Sequence, residues 1–226
     1  LAVTGRVSAQ RYWGARGWSV AHNSDIWAMS NPVGDFGEGE PGWANWPLGG
    51  AWLATHLWEH YAFTQDRRYL EQQAYPLMVG AAHFARDLLI DGPDGTLITS
   101  PSTSPENRYR APNGYVGATS IATTADMAII RELFTQVIAA ATVLQRDAAL
   151  RDTLRTALAR LTPYKVGASG ALQEWYHDWA DADPKHRHQS HLFGLYPGAQ
   201  ISPQRTPALA AAARRTLEIK GDRSTG

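Results

Sequence analysis

Apolar residues recur at three- and four-residue steps along much of this chain, a period that predicts helices. Ala51, Ala54, Leu57, Trp58 and Tyr61 share one face, with His56, Glu59 and His60 between them, so a helix is expected from Ala51 to Phe63. Thr64-Gln65-Asp66 then reads as the cap of a second helix. It runs through Leu70, Tyr75, Leu77, Met78, Ala81, Ala82, Phe84 and Leu88 to Ile90, with a kink at Pro76. Two helices joined by so short a turn make an antiparallel hairpin. The first arm of a second hairpin is expected over residues 122 to 146, capped at Thr124 or Asp126. Its Met127, Ile130, Leu133, Phe134, Val137, Ile138, Ala141 and Leu144 form one stripe, and its partner runs from Ala148 to Leu161.

Between and beyond the hairpins the pattern changes. Residues 7 to 12 end a helix that breaks at Gly14, and Trp13 to Gly50 is irregular and rich in Gly, Trp, Asn and Pro. The turn Asp91-Gly92-Pro93-Asp94-Gly95 leads into a strand-like Gly95–Thr99 and the loop Ser100-Pro101-Ser102-Thr103-Ser104-Pro105-Glu106-Asn107. A polar stretch carries Asp178, Asp181, Asp183 and His186-Arg187-His188-Gln189-Ser190-His191, followed by a short helix to Tyr196 and a last one from Pro207 to Ile219. Repeated helical hairpins with long loops predict an all-α fold with little β structure, in which stacked hairpins form a toroid. No fixed sequence period is visible, which counts against a regular solenoid. Both ends cut through the pattern, so residues 1–226 are expected to be a fragment of one larger domain, poorly stable and inactive alone.

Charge narrows the partners. Lys and Arg number 21, as do Asp and Glu, so there is no basic footprint for nucleic acid and no field to steer an anion. A sugar or another neutral substrate fits better. No cysteine is present, which excludes disulfides and thiolate metal sites. No apolar run is expected to reach the ~18 residues of a membrane span. Seven of the nine tryptophans precede residue 60, which fits either a sugar-stacking cleft or a tryptophan-rich core.

A carboxylate in a loop held by two prolines, Glu106 is the candidate proton donor. Its plain alternative is a solvated residue in a Ser/Pro turn. His186, His188 and His191, with Asp183, could gather a metal ion. They lack the spacing of a helical zinc pair and no His-Glu-x-x-His occurs, so hydrogen bonding in a polar pocket is expected instead, with no metal and no cofactor.

Five ordered stretches carry a resemblance: Gly14-Ala15-Arg16-Gly17-Trp18; His22-Asn23-Ser24-Asp25-Ile26-Trp27; Gly49-Gly50-Ala51-Trp52-Leu53 with His56-Leu57-Trp58-Glu59-His60-Tyr61; Ser100-Pro101-Ser102 with Ser104-Pro105-Glu106-Asn107; and His186-Arg187-His188 with Ser190-His191-Leu192. Together they resemble glycoside hydrolase family 95, chiefly inverting α-L-fucosidases acting on α-1,2 linkages, with some α-L-galactosidases. The resemblance implies part of an (α/α)6 barrel, a six-hairpin toroid normally flanked by β-rich domains that this chain does not contain. It implies a fucosylated oligosaccharide or glycan as substrate and Glu106 as general acid. The base would be an aspartate after residue 226, assisted by an asparagine pair before residue 1. Asp222, in Gly-Asp-x-Ser-Thr-Gly, looks like part of a different family motif. In the sugar pocket Asp25 would bond fucose hydroxyls, Trp46 would face the methyl side, and Arg187 with His188 would reach the fucose and the next sugar. His22, Asn107 and His191 would be neighbours in substrate binding. Asp25 could instead cap Ile26-Trp27, Trp46 could be core, and Arg187 could pair with Asp183. An α-L-galactosidase of the same fold and a non-catalytic carbohydrate-binding protein are the alternatives.

Overall fold

A computed structural model describes residues 1–33 and 40–222. The chain is mostly helical, as its periodicity predicts, and divides into two compact units: Leu1–Leu97 with Ile130–Leu161, and Ile98–Ile129 with Thr162–Gly226.

In the first unit, α1 (Ala2–Trp13) ends on Gly14, whose left-handed backbone (φ 61°) lets its N–H reach back to the helix carbonyls. After the short α2 (Pro41–Ala44), α3 (Gly49–Thr64) begins the first hairpin. Asp66 caps the next helix by accepting the Tyr69 N–H at 3.0 Å. That helix is α4 (Arg67–Tyr69), a π-helical turn over Leu70–Ala74, and α5 (Tyr75–Asp87), which packs on α3. The disturbance expected at Pro76 takes the form of this π turn just before it. Proline has no N–H to give the carbonyl one turn back.

The helix stops at Asp87 rather than Ile90, because Leu89–Asp91 form strand β1, followed by a turn closed by Gly92 N–H on the Thr96 carbonyl (2.7 Å) and β2 (Leu97–Thr99). Buried Trp18 locks this unit. Its indole donates to the Leu77 carbonyl at 2.8 Å, and its ring lies against Gly50 and Gly80, where even a methyl group would approach it to 2.7 and 2.6 Å.

The second hairpin is α6 (Thr124–Leu144) and α7 (Ala148–Arg160). Where they turn, Tyr75 donates to Asp147 at 2.7 Å, Arg146 pairs with Glu71 at 2.9 Å, and Arg67 reaches the Val143 carbonyl at 2.7 Å. The cap of α6 is Thr123, whose hydroxyl accepts the Asp126 N–H, and not Thr124 or Asp126. With 21 residues, α6 is long and apolar enough to cross a membrane by length and composition, which corrects the expectation of no such run. Ile129, Ile130, Leu133, Phe134, Val137, Ala140 and Ala141 are buried within the protein, as in any core helix.

The second unit holds short strands: β3 (Ser102–Thr103) pairs antiparallel with β6 (Thr119–Ser120), and β4 (Tyr109–Arg110) pairs with both β5 (Val116–Gly117) and β7 (Ala180–Asp181). Leu172, Leu192, Ile201, Ala212 and Ala213 form a core beneath α8 (Pro207–Lys220). A single 3-10 turn, Ser190–Leu192, stands near the short helix expected before Tyr196.

Candidate active site

The loop after β3 turns sharply, with Asn107 N–H bonded to the Ser104 carbonyl at 2.7 Å and Pro105-Glu106 at its corner. Glu106 stands at the surface of the second unit with its side chain 27% exposed. Arg187 Nη2 donates to Glu106 Oε2 at 3.0 Å, and His188 Nδ1 lies 3.7 Å from the same oxygen. The Glu106 backbone N–H donates to His188 Nδ1 at 3.2 Å, and the Ser190 hydroxyl donates to the Pro105 carbonyl. The segment 187–190 therefore grips the loop by side chain and by backbone. Arg187 does not pair with Asp183, whose carboxylate accepts the Lys185 N–H at 3.0 Å.

Behind the loop lies a residue that the pattern analysis passed over. Glu174 is buried, and one oxygen, Oε1, accepts the Ser104 hydroxyl at 2.7 Å and the Asn107 amide at 2.5 Å. Its other oxygen is 3.2 Å from His191 Nδ1. Several contacts fix its backbone. Thr124 N–H bonds to the Glu174 carbonyl at 3.0 Å, the Thr124 hydroxyl donates to the Gln173 carbonyl at 2.5 Å, and the neighbouring Trp175 is buried edge-on to Tyr109. Burial alone would raise the Glu174 carboxyl, but the nearby His191 charge and the bonds from Ser104 and Asn107 outweigh it and hold it below the ordinary carboxylate range.

A cavity of about 370 Å³ borders Glu174 and His191, and Asp181 and Lys220 line it too, paired at 3.0 Å. Burial raises the Asp181 carboxyl, the nearby Glu174 charge raises it further, and Lys220 only partly offsets both.

Five of the expected site residues, Glu106, Asn107, Arg187, His188 and His191, thus come together in the second unit. Two of them take a different place from the one expected. Asn107 and His191 are buried and turned toward Glu174, and Asn107 Nδ2 also bonds the His188 carbonyl at 3.2 Å, so they support the loop rather than face a sugar. The other three lie in the first unit. Asp25 is exposed, and its Oδ1 accepts the Trp27 and Met29 N–H groups at 2.9 and 3.1 Å, the capping alternative. His22 is exposed beside Trp43, with ring centroids 4.8 Å apart. Trp46 is buried and edge-on to Trp52, the core alternative.

The histidines do not gather. His186 Nδ1 accepts the His188 N–H at 3.1 Å, and among the described residues no group of three or more His, Asp or Glu side chains converges as metal ligands would. Arg223 to Gly226, most of the motif around Asp222, lie outside the described residues.

The model of the glycosyl hydrolase family 95 catalytic domain matches residues 1–226. Alpha-L-fucosidase 2 of Arabidopsis thaliana is 44% identical over 230 residues, covering 100% of this chain and 26% of that protein. Probable alpha-fucosidase A of Aspergillus niger is 30% identical over 203 residues, 84% of this chain and 25% of that protein. The chain thus spans about a quarter of the length of these relatives.

Proposed function

The chain belongs to the glycosyl hydrolase family 95 catalytic domain, and from that premise we propose that the full-length protein is an inverting α-L-fucosidase with Glu106 as its general acid. The observation that carries this reading is Glu106 itself, a part-exposed carboxyl on a gripped loop with Arg187 and His188 converging on it. In the proposed reaction Glu106 gives its proton to the glycosidic oxygen as the bond from that oxygen to fucose C1 breaks. A water attacks C1 from the opposite face and loses its proton to a base. Inversion sets the two carboxyl groups about 6.5–9.5 Å apart, with room for that water. On this reading the base is an aspartate after residue 226.

Arg187 and His188 supply hydrogen-bond donors at the mouth of the site, suited to the hydroxyls of a neutral sugar. The α-1,2 linkage is the proposed target.

The test compares the full-length wild type with Glu106→Gln on an α-1,2-fucosylated oligosaccharide, with and without chelator. Wild type should release fucose unaffected by chelator, first as the β anomer by NMR, and Glu106→Gln should lose about 100-fold or more in kcat. A Glu106→Gln variant as active as wild type would sink the assignment of the acid.

A further inference from the structure

Glu174 is the only described carboxylate hydrogen-bonded by side chains on both sides of Glu106 in sequence: Ser104 two residues before it and Asn107 one after. Keeping an ionised carboxylate out of water is costly unless donors surround it. Here two of the groups that stabilise it belong to the Glu106 loop, and the third, His191, belongs to the segment that carries Arg187 and His188. Asn107 closes the arrangement by also bonding the His188 carbonyl. Buried and joined to the loop by two short bonds, the Glu174 carboxylate fixes where the corner residue Glu106 stands. It does not itself touch Glu106. We propose that Glu174 is a positioning residue for the general acid, holding the 104–107 loop so that the Glu106 carboxyl meets the leaving oxygen.

This inference rests on the reading of Glu106 as acid, and a choice of leaving group separates it from general damage to the fold. A sugar leaving group needs full proton transfer, whereas fluoride departs with little help. In the full-length protein, Glu174→Gln is expected to lower kcat on the α-1,2-fucosylated oligosaccharide about 30-fold, with KM within about 2-fold, while α-L-fucosyl fluoride loses less than about 3-fold. Hydrogen exchange in peptides covering residues 104–107 should accelerate in the same variant.

Equal losses on both substrates, or no loss with unchanged exchange, would overturn the proposal. If wild type cleaves neither substrate, the fucosidase reading fails. The exchange measurement then decides alone, and an unchanged rate at 104–107 counts against Glu174. Should Glu174→Gln not fold, Ser104→Ala removes one of the two bonds and is expected to give the same split between substrates at smaller amplitude. An equal loss on both substrates in that variant would again overturn it.

Discussion

At Gly17 the backbone is left-handed (φ 72°), and a methyl group would collide with the Gly80 carbonyl oxygen and come within 2.9 Å of the Phe84 nitrogen. At Gly14 the backbone is also left-handed (φ 61°), yet nothing lies within 4 Å of where a methyl group would stand. The two sites separate conformation from collision. Gly14→Ala is expected to cost about 1 kcal/mol, and Gly17→Ala about 2–4 kcal/mol, read from denaturant unfolding of the full-length protein. The glycines and Trp18 of the first family-like stretch were legible in the sequence, but their purpose was not, because Trp18 meets its partners Gly50, Leu77 and Gly80 only after two helices pack.

Glu174 was hidden for the same reason. Its partners Ser104 and Asn107 are 70 and 67 residues away, and no local pattern marks them. Its chemistry does predict acid behaviour. A carboxyl held lower in the folded than in the unfolded state contributes stability above its unfolded value and loses it as pH falls through the folded one. For Glu174 that window runs from about 4.5 down to about 2. Acid unfolding followed by circular dichroism should therefore be less steep across that range in Glu174→Gln than in wild type.

Among elements, α6 is anchored by hydroxyls and one carboxylate. Asp126, in its first turn, is buried and accepts the Thr99 hydroxyl at 2.9 Å and the Ser102 hydroxyl at 2.6 Å, while Thr123 N–H bonds Ser102 Oγ at 2.9 Å. Removing that acceptor strands the buried Thr99 hydroxyl and leaves Ser102 only the Thr123 hydroxyl at 2.9 Å, whereas removing the Thr123 cap hydroxyl loses a weaker 3.4 Å bond, its donation to the Thr103 carbonyl and one of two acceptors for Ser102. Asp126→Ala is expected to cost about 2–4 kcal/mol and Thr123→Ala about 1 kcal/mol, measured by thermal unfolding. The long helices were legible from their apolar stripes. The two-residue ladders of the second unit were not, since an alternation of period two cannot appear in two residues. The cap reads as Thr124 or Asp126 rather than Thr123 because all three are good caps by type. Only the bonds of Thr124 to Gln173 and Glu174 reveal that it serves the neighbouring segment instead.

For the whole chain, exposed apolar side chains set the expectation. Val3 and Val7, one turn apart on α1, are 79% and 64% exposed, and Phe63 and Trp27 exceed them. Single exposed apolar residues are ordinary, but a paired helical face is a ready contact. The isolated 226-residue chain is expected to self-associate in sedimentation as its concentration rises, and less so with Val3→Glu and Val7→Lys. Membership of the family was legible because five stretches recur in order. The placement of Asn107, His191 and Trp46 was not, since residue type alone does not say which way a side chain turns. The burial of Asn107 and His191 followed from Glu174, a partner distant in sequence.

A ring nitrogen that accepts a backbone N–H carries no proton of its own, and His188 Nδ1 accepts one from Glu106. The neutral imidazole is thereby held in a single tautomer, protonated at Nε2. The Glu106 backbone thus dictates the polarity of its neighbour. Toward any ligand His188 Nε2 offers a hydrogen to an oxygen lone pair and cannot take one from a hydroxyl.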